Sequence, residues 1–212
     1  MAGTTSGTGS RTGRDGTGWS RAGRAGAAAK LMVAWVALLW ILEAVDMATG
    51  HALDAYGITP REAAELRDLV PAAFLHFGFA HVAANTVPLL VFGFLAALGG
   101  IRRFLAVAAL IVVVDGLGVW LVSPSYSVTA GASGLIFGLF GYLLVRGFVD
   151  RKPLDIGVGL VIGAIWGSSI LLGISPTQSG VSWQGHLFGL LAGVAAAFVF
   201  RRRPRRTAAL TP

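Results

Sequence analysis

The sequence predicts an all-α polytopic membrane protein with six transmembrane helices, and three observations carry that fold class. Of 212 residues, 55% are hydrophobic and only 13% are charged, about half the charge of an ordinary globular chain. From Leu31 onward the chain falls into six apolar runs, at 31–49, 80–99, 104–122, 132–149, 155–173 and 183–200. Each is close to the roughly 20 residues a helix needs to cross the hydrocarbon core. Finally, Lys and Arg fall almost entirely on alternate connections, as the positive-inside rule requires.

Residues 1–30 are rich in Gly, Thr, Ser and Arg and have little apolar content beyond alanine and Trp19. A segment of this kind buries too little surface to offset its ordering entropy, so it reads as a disordered basic tail. The first run, Leu31 to Leu42, succeeds basic residues as a signal-peptide core would. Glu43 and Asp46 interrupt the chain beyond Leu42, and Ala48-Thr49-Gly50 is a poor cleavage site. The run is therefore retained as helix 1, with Glu43 and Asp46 expected to reach the interface. In the connection at 50–79, residues 60–69 read as a short helix with Pro60 near its start. The five remaining runs are too long and continuous for the alternating strands of an outer-membrane barrel. Residues 201–212 form a second basic tail. The membrane domain thus spans 31–200.

With the N-terminus inside, fifteen of the 17 basic residues share its side, and only Arg61 and Arg67 lie opposite. The net charge of +7 is thereby a topology signal: both termini in the cytoplasm, the 50–79 connection outside, a bilayer as the partner and no nucleic acid. The expected location is a plasma or inner membrane. Absence of cysteine excludes disulfide frameworks, thiol nucleophiles and cysteine-metal centres. No internal repeat of the kind transporters show is present.

Polar side chains inside a bilayer are costly and each needs a reason. Helices 2, 4 and 6 all run inward from the outer face. His81 and Asn85 lie near the outer start of helix 2, Ser133 near that of helix 4 and His186 near that of helix 6. Three distant segments therefore place a serine, two histidines and an asparagine at one depth. His81 and Asn85, four apart, share a helix face. Interhelical glue is their bland alternative. Ser133 lies in Gly131-Ala132-Ser133-Gly134, and Gly131, Gly134, Gly138 and Gly141 form a small-residue stripe. His186 opens a segment in which Gly189 and Gly193 form a GxxxG pair suited to close packing. Two helices packed on those stripes would bring His186 to Ser133. A serine hydroxyl needs a base to accept its proton, and neutral histidine is the usual one. No acidic residue occurs after Asp155, which favours a Ser–His dyad over a triad. The tetrahedral oxyanion would need donors, which His81, Asn85 and the Ser133 N–H could supply. His76 reads as structural or interfacial. Asp115, the one acid deep in a run, reads as a neutral or paired helix-3 carboxyl in preference to a proton relay or ion site.

This constellation resembles the rhomboid family of intramembrane serine proteases over residues 31–200. His81-Val-Ala-Ala-Asn85 is similar to the family's helix-2 His-x-x-x-Asn, Gly131-Ala132-Ser133-Gly134 to its GxSG, and His186, Gly189 and Gly193 to its helix-6 HxxGxxxG. His76 matches an additional upstream histidine. The resemblance implies a rhomboid-like bundle with Ser133 as nucleophile, His186 as base and His81 and Asn85 as oxyanion donors. Phe137 stands where many members pack an aromatic on the catalytic histidine. It also implies transmembrane or membrane-adjacent polypeptide substrates and no metal or organic cofactor. Two departures stand out: residues 50–79 lack the Trp-Arg pair of many bacterial members, and Gly185 replaces the common alanine before the helix-6 histidine. The alternatives are a catalytically inactive rhomboid-like protein that binds transmembrane helices, a small transporter, and a metalloprotease using His76, His81 and His186. The sequence contains no HExxH motif for the last. It leaves the oligomeric state open.

Overall fold

The computed structural model describes residues 21–202. Six helices succeed one another: α1 (Arg21–Ala48), α2 (Phe79–Ala97), α3 (Ile101–Val122), α4 (Ser133–Val149), α5 (Pro153–Gly173) and α6 (Trp183–Val199). Among the described residues the only strand-like feature is an isolated bridge between Ile58 and Thr129. The chain is a polytopic helical bundle. Helices α1, α2, α3 and α5 are long and apolar enough to cross a membrane, and α4 and α6 are shorter apolar helices.

Helix α1 starts ten residues before the boundary drawn from composition. Residues 21–30, read from sequence as disordered, are helical. Five alanines at 22, 25 and 27–29 have the best helix propensity, and Ala28 and Met32 are buried, with Met32 set against Gly93 of α2. The rest of the N-terminal tail, residues 1–20, and most of the C-terminal one, residues 203–212, lie outside the described residues. Glu43 and Asp46 do not reach the interface as expected. Each is only 2% exposed. Asp46 turns back to accept hydrogen bonds from the Leu53 N–H (2.8 Å) and His51 Nδ1 (2.9 Å). That acceptor, through its hydrogen bond and its charge, pushes the exposed His51 imidazole above its ordinary pKa.

Helix α4 is the centre of the bundle, buried along nearly its whole length. It packs most extensively on α6, then on α5, α2 and α3. The α4–α6 contact is backbone to backbone. A Cβ at Gly189 would strike the Gly134 carbonyl, and one at Gly193 the Gly138 carbonyl. In the reverse direction, a Cβ at Gly138 would stand 2.8 Å from the Gly189 oxygen, and one at Gly141 2.7 Å from the Leu190 oxygen. Without water-driven burial between helices, such close approach is what holds them together. Gly193→Ala should therefore lower the melting temperature in detergent, by overpacking worth about 1–3 kcal/mol. Gly157→Ala, where a Cβ meets nothing within 4 Å, should be neutral or slightly stabilising. Equal melting of the two variants would show that the seam is not close-packed.

The connection between α1 and α2 is built of three 3₁₀ turns, Ala52–Tyr56, Ala63–Leu69 and Pro71–Phe74. The helix read at 60–69 is the second of these, entered three residues after Pro60. The segment clamps onto α3 and the loop before α4. The Arg61 side chain donates to the Ser123 carbonyl (2.8 Å), Trp120 Nε1 donates to the Glu62 carbonyl (2.9 Å), and the Gly131 N–H donates to the Ala72 carbonyl (2.8 Å). At the opposite end Arg103 pairs with Asp150 at 3.0 Å, and Asp150 also accepts the Arg202 N–H at 2.8 Å. Burial opposes ionisation of Asp150, yet those two donors hold its carboxyl below the ordinary carboxylate range. Arg146 pairs with Asp155 at 3.4 Å.

Candidate active site

Seventeen residues make α4 about 26 Å long, several ångströms short of a hydrocarbon core of about 30 Å. The loop leading into Ser133 continues the chain beyond that end of the helix. Irregular backbone at that depth is tolerable only where it lines a cavity or is covered by protein. Both hold here. A cavity of about 410 Å³ is lined by Ser133, His186, His81, Asn85, Gly131 and Asp115, with Ile58, Leu69, Val119 and Val128 among its apolar walls.

Ser133 is the first residue of α4. The first intrahelical bond at this end runs from the Ile136 N–H to the Ala132 carbonyl, so the N–H groups of Ser133, Gly134 and Leu135 have no acceptor within the helix. They sit at the positive end of the helix dipole, beside the serine hydroxyl. Gly131 belongs to the turn rather than to the α4 stripe. Its φ of +139° is a glycine conformation. A Cβ there would lie 2.9 Å from His81 Cε1, 3.0 Å from His81 Nε2 and 3.6 Å from Ser133 Oγ. The missing side chain is what lets His81 and Ser133 face one space.

His186 lies in the first turn of α6, capped by the Ser182 hydroxyl accepting the Gly185 N–H at 3.3 Å. Its Nδ1 is 2.9 Å from the Gly173 carbonyl at the end of α5. A carbonyl only accepts, so Nδ1 carries the proton and Nε2 of the neutral ring keeps its lone pair. Phe137 stacks on the imidazole, with centroids 3.9 Å apart and planes 11° apart. A Cβ on Gly173 would press into the Phe137 ring and reach within 3.2 Å of His186 Nδ1. The Gly173 carbonyl thus takes the position that a carboxylate holds in a triad. Sequence reasoning missed it, because a backbone oxygen has no residue signature. No hydrogen bond joins Ser133 Oγ to His186 among the described residues, although both line the cavity.

On α2, Asn85 is 7% exposed and its Nδ2 has no partner. His81 Nδ1 accepts a long bond of 3.5 Å from the Phe77 N–H, which leaves Nε2–H as a donor on the Gly131 side. His76 is structural: its Nε2 accepts the Ala132 N–H at 3.3 Å, beside the start of α4, and its ring meets that of His81 edge-on at 4.9 Å. Gly189 and Gly193 act through the α4–α6 seam. His76, His81 and His186 do not gather as a metal centre. Among the described residues the one group with ligand atoms that close is Asp46, His51 and Asp54, at the end of α1.

Burial, and then the neighbouring His81, lower the pKa of His76 from 6.5 to about 4. Between those values the unfolded chain binds a proton that the folded chain does not, so stability falls as pH drops through that window. Protonation also removes the acceptor of the Ala132 N–H. The melting temperature should decline between pH 6.5 and about 4, and more steeply in wild type than in His76→Gln, whose amide oxygen accepts the same bond without titrating. Parallel pH curves for the two proteins would contradict the assignment.

Asp115 is half-buried and has no ion-pair partner among the described residues. Its Oδ1 is shut off from solvent and has no hydrogen-bond partner. The carboxyl occupies the space that a Cβ on Gly134 would need, and its Oδ1 lies 3.1 Å from where a Cβ on Gly185 would be; these are the residues next to Ser133 and His186.

Comparison with known proteins agrees with this architecture. The Rhomboid domain model matches residues 63–203. The uncharacterized protein Rv1337 of Mycobacterium tuberculosis is 43% identical over 187 residues, which cover 84% of this chain and 78% of that protein. The putative rhomboid protease YdcA of Bacillus subtilis is 30% identical over 139 residues, covering 65% of this chain and 69% of the relative. The rhomboid protease GluP of Bacillus subtilis is 34% identical over 132 residues, covering 61% and 25%. A match across two thirds of the chain, on a helical bundle whose shortest membrane helices open on one cavity, establishes that the chain belongs to the rhomboid family.

Proposed function

We propose that this protein is an intramembrane serine endopeptidase cleaving transmembrane or membrane-adjacent polypeptides through a Ser133–His186 dyad. The observation that carries the proposal is the Gly173 carbonyl on His186 Nδ1. It fixes the tautomer whose Nε2 can accept the serine proton, in a cavity that Ser133 also lines. In the reaction, Ser133 Oγ bonds to the scissile carbonyl carbon as its proton passes to His186 Nε2. The carbonyl oxygen becomes an oxyanion facing Asn85 Nδ2, His81 Nε2 and the free N–H groups at the start of α4. His186 returns the proton to the departing amine as the C–N bond breaks, which leaves an acyl-enzyme on Ser133. Water, activated by the same histidine, then releases the acid and restores the serine. No step requires a metal or an organic cofactor.

A helical amide is already hydrogen-bonded and shielded, so a substrate helix must unwind before its carbonyl reaches Ser133. Segments with Gly or Pro near the cut therefore favour cleavage. The long apolar helices around the cavity support substrates drawn from within or beside the bilayer. The basic residues support a plasma or inner membrane with both termini in the cytoplasm. Reporter fusions should place residues 50–75 outside and both ends inside, and an outward C-terminus would refute that orientation. The test of the activity itself is labelling by a fluorophosphonate that depends on Ser133. The inactive, helix-binding alternative predicts no labelling.

A further inference from the structure

We propose that Asp115 makes the cleft selective for a substrate residue whose side chain bears a hydrogen-bond donor, set beside the scissile bond. This rests on the protease reading of the same cavity. The carboxyl of Asp115 projects from α3 between α4 and α6 and lies against Gly134, the residue after Ser133. Its Oδ1 also stands 3.1 Å from where a Gly185 Cβ would be, one residue before His186. Glycine at both positions leaves the room that the carboxyl occupies. Asp115 is the only residue with a carboxyl side chain among those lining the cavity, and Val119, one turn along the same helix, lines it too.

Asp115 has no duty in the dyad. His186 Nδ1 is already committed to the Gly173 carbonyl, so the acid does not orient the base. Nor does it tie helices together, because neither of its oxygens has a hydrogen bond among the described residues. Its Oδ2, unlike its Oδ1, is not shut off from solvent, so the carboxyl meets the cavity as an acceptor without a partner. A substrate hydroxyl, amide or ammonium entering beside Ser133 would satisfy it, whereas an apolar side chain of the same shape would leave it orphaned. Sites built to hydrogen-bond a substrate group discriminate strongly against the analogue that lacks it.

The test uses a model transmembrane substrate whose cut site is mapped by mass spectrometry. Thr or Val is placed in turn at each position within three residues of the cut. The pair is matched in shape and close in helix propensity, so unwinding of the substrate does not confound the comparison. Wild type should prefer Thr by at least about tenfold in kcat/KM at one position. In Asp115→Ala that ratio should fall to near one, with the Val substrate still cleaved at about its former rate. Asp115→Ala should also fold as well as wild type, since it removes an orphaned polar group without adding volume. An early-melting Asp115→Ala would mean that the carboxyl has a structural partner, and would overturn the proposal. A ratio near one in wild type, or a Thr preference that survives Asp115→Ala, would overturn it while leaving the protease intact. Failure of Ser133-dependent cleavage for both substrates would remove the protease reading and this proposal together.

Discussion

Ser133→Ala should abolish cleavage of a model transmembrane substrate, by about 10⁴-fold or more, and abolish fluorophosphonate labelling, while the protein remains folded. The size of the loss reflects the role: no other hydroxyl stands at the start of α4, and without the nucleophile there is no acyl-enzyme to form. Folding should survive because the change deletes one oxygen from a residue whose side chain makes no hydrogen bond among the described residues. The helix entry is set instead by the Gly131 N–H on Ala72, the Ala132 N–H on His76 and the φ of Gly131. Near-wild-type turnover by Ser133→Ala in detergent or liposomes would end the serine mechanism.

The second large effect concerns His81 and Asn85. If they bind the oxyanion, Asn85→Ala should lower kcat by at least about tenfold and the double replacement by about 10²–10³-fold, with KM changing little. A single donor is partly covered by the others, including the free N–H groups at the α4 start, so the double variant is the cleaner probe. Asn85 Nδ2 bonds to nothing in the bundle, so little stability should be lost with it. If the two residues only glue helices, the reverse pattern holds: early melting, with normal turnover per folded molecule. Measuring kcat and melting temperature on the same preparations separates the two.

How much of this was legible in the sequence depends on what kind of atom carries each feature. The six helices were, because a bilayer imposes a length and an apolarity on every span. The residues lining the cavity were also legible, because Ser133, His186, His81 and Asn85 are expensive in lipid and fall at one depth. The start of α1 was not: alanine and arginine between 21 and 30 suit a solvated tail and a helix equally, and packing of Ala28 and Met32 decides between them. Glu43 and Asp46 were misplaced because their shelter is supplied by the folded 50–78 connection, whose three 3₁₀ turns have no periodicity to read. Asp115 was recognised as costly, but its position against Gly134 and Gly185 depends on how three helices meet. The Gly173 carbonyl had no signal at all.

The glycine seam between α4 and α6 has a consequence for how such a site could change. At Gly138, Gly189 and Gly193 what matters is an empty volume, filled in part by the main chain of the facing helix. A reactive group can be tuned by exchange for a similar one, but an empty volume has no near substitute, since alanine is already one carbon too many. The separation of the Ser133 and His186 backbones is therefore inherited from main-chain contact, not adjusted by rotamers. Drift at the lipid-facing positions leaves it untouched, and any route to a different spacing has to pass through a bundle that no longer closes.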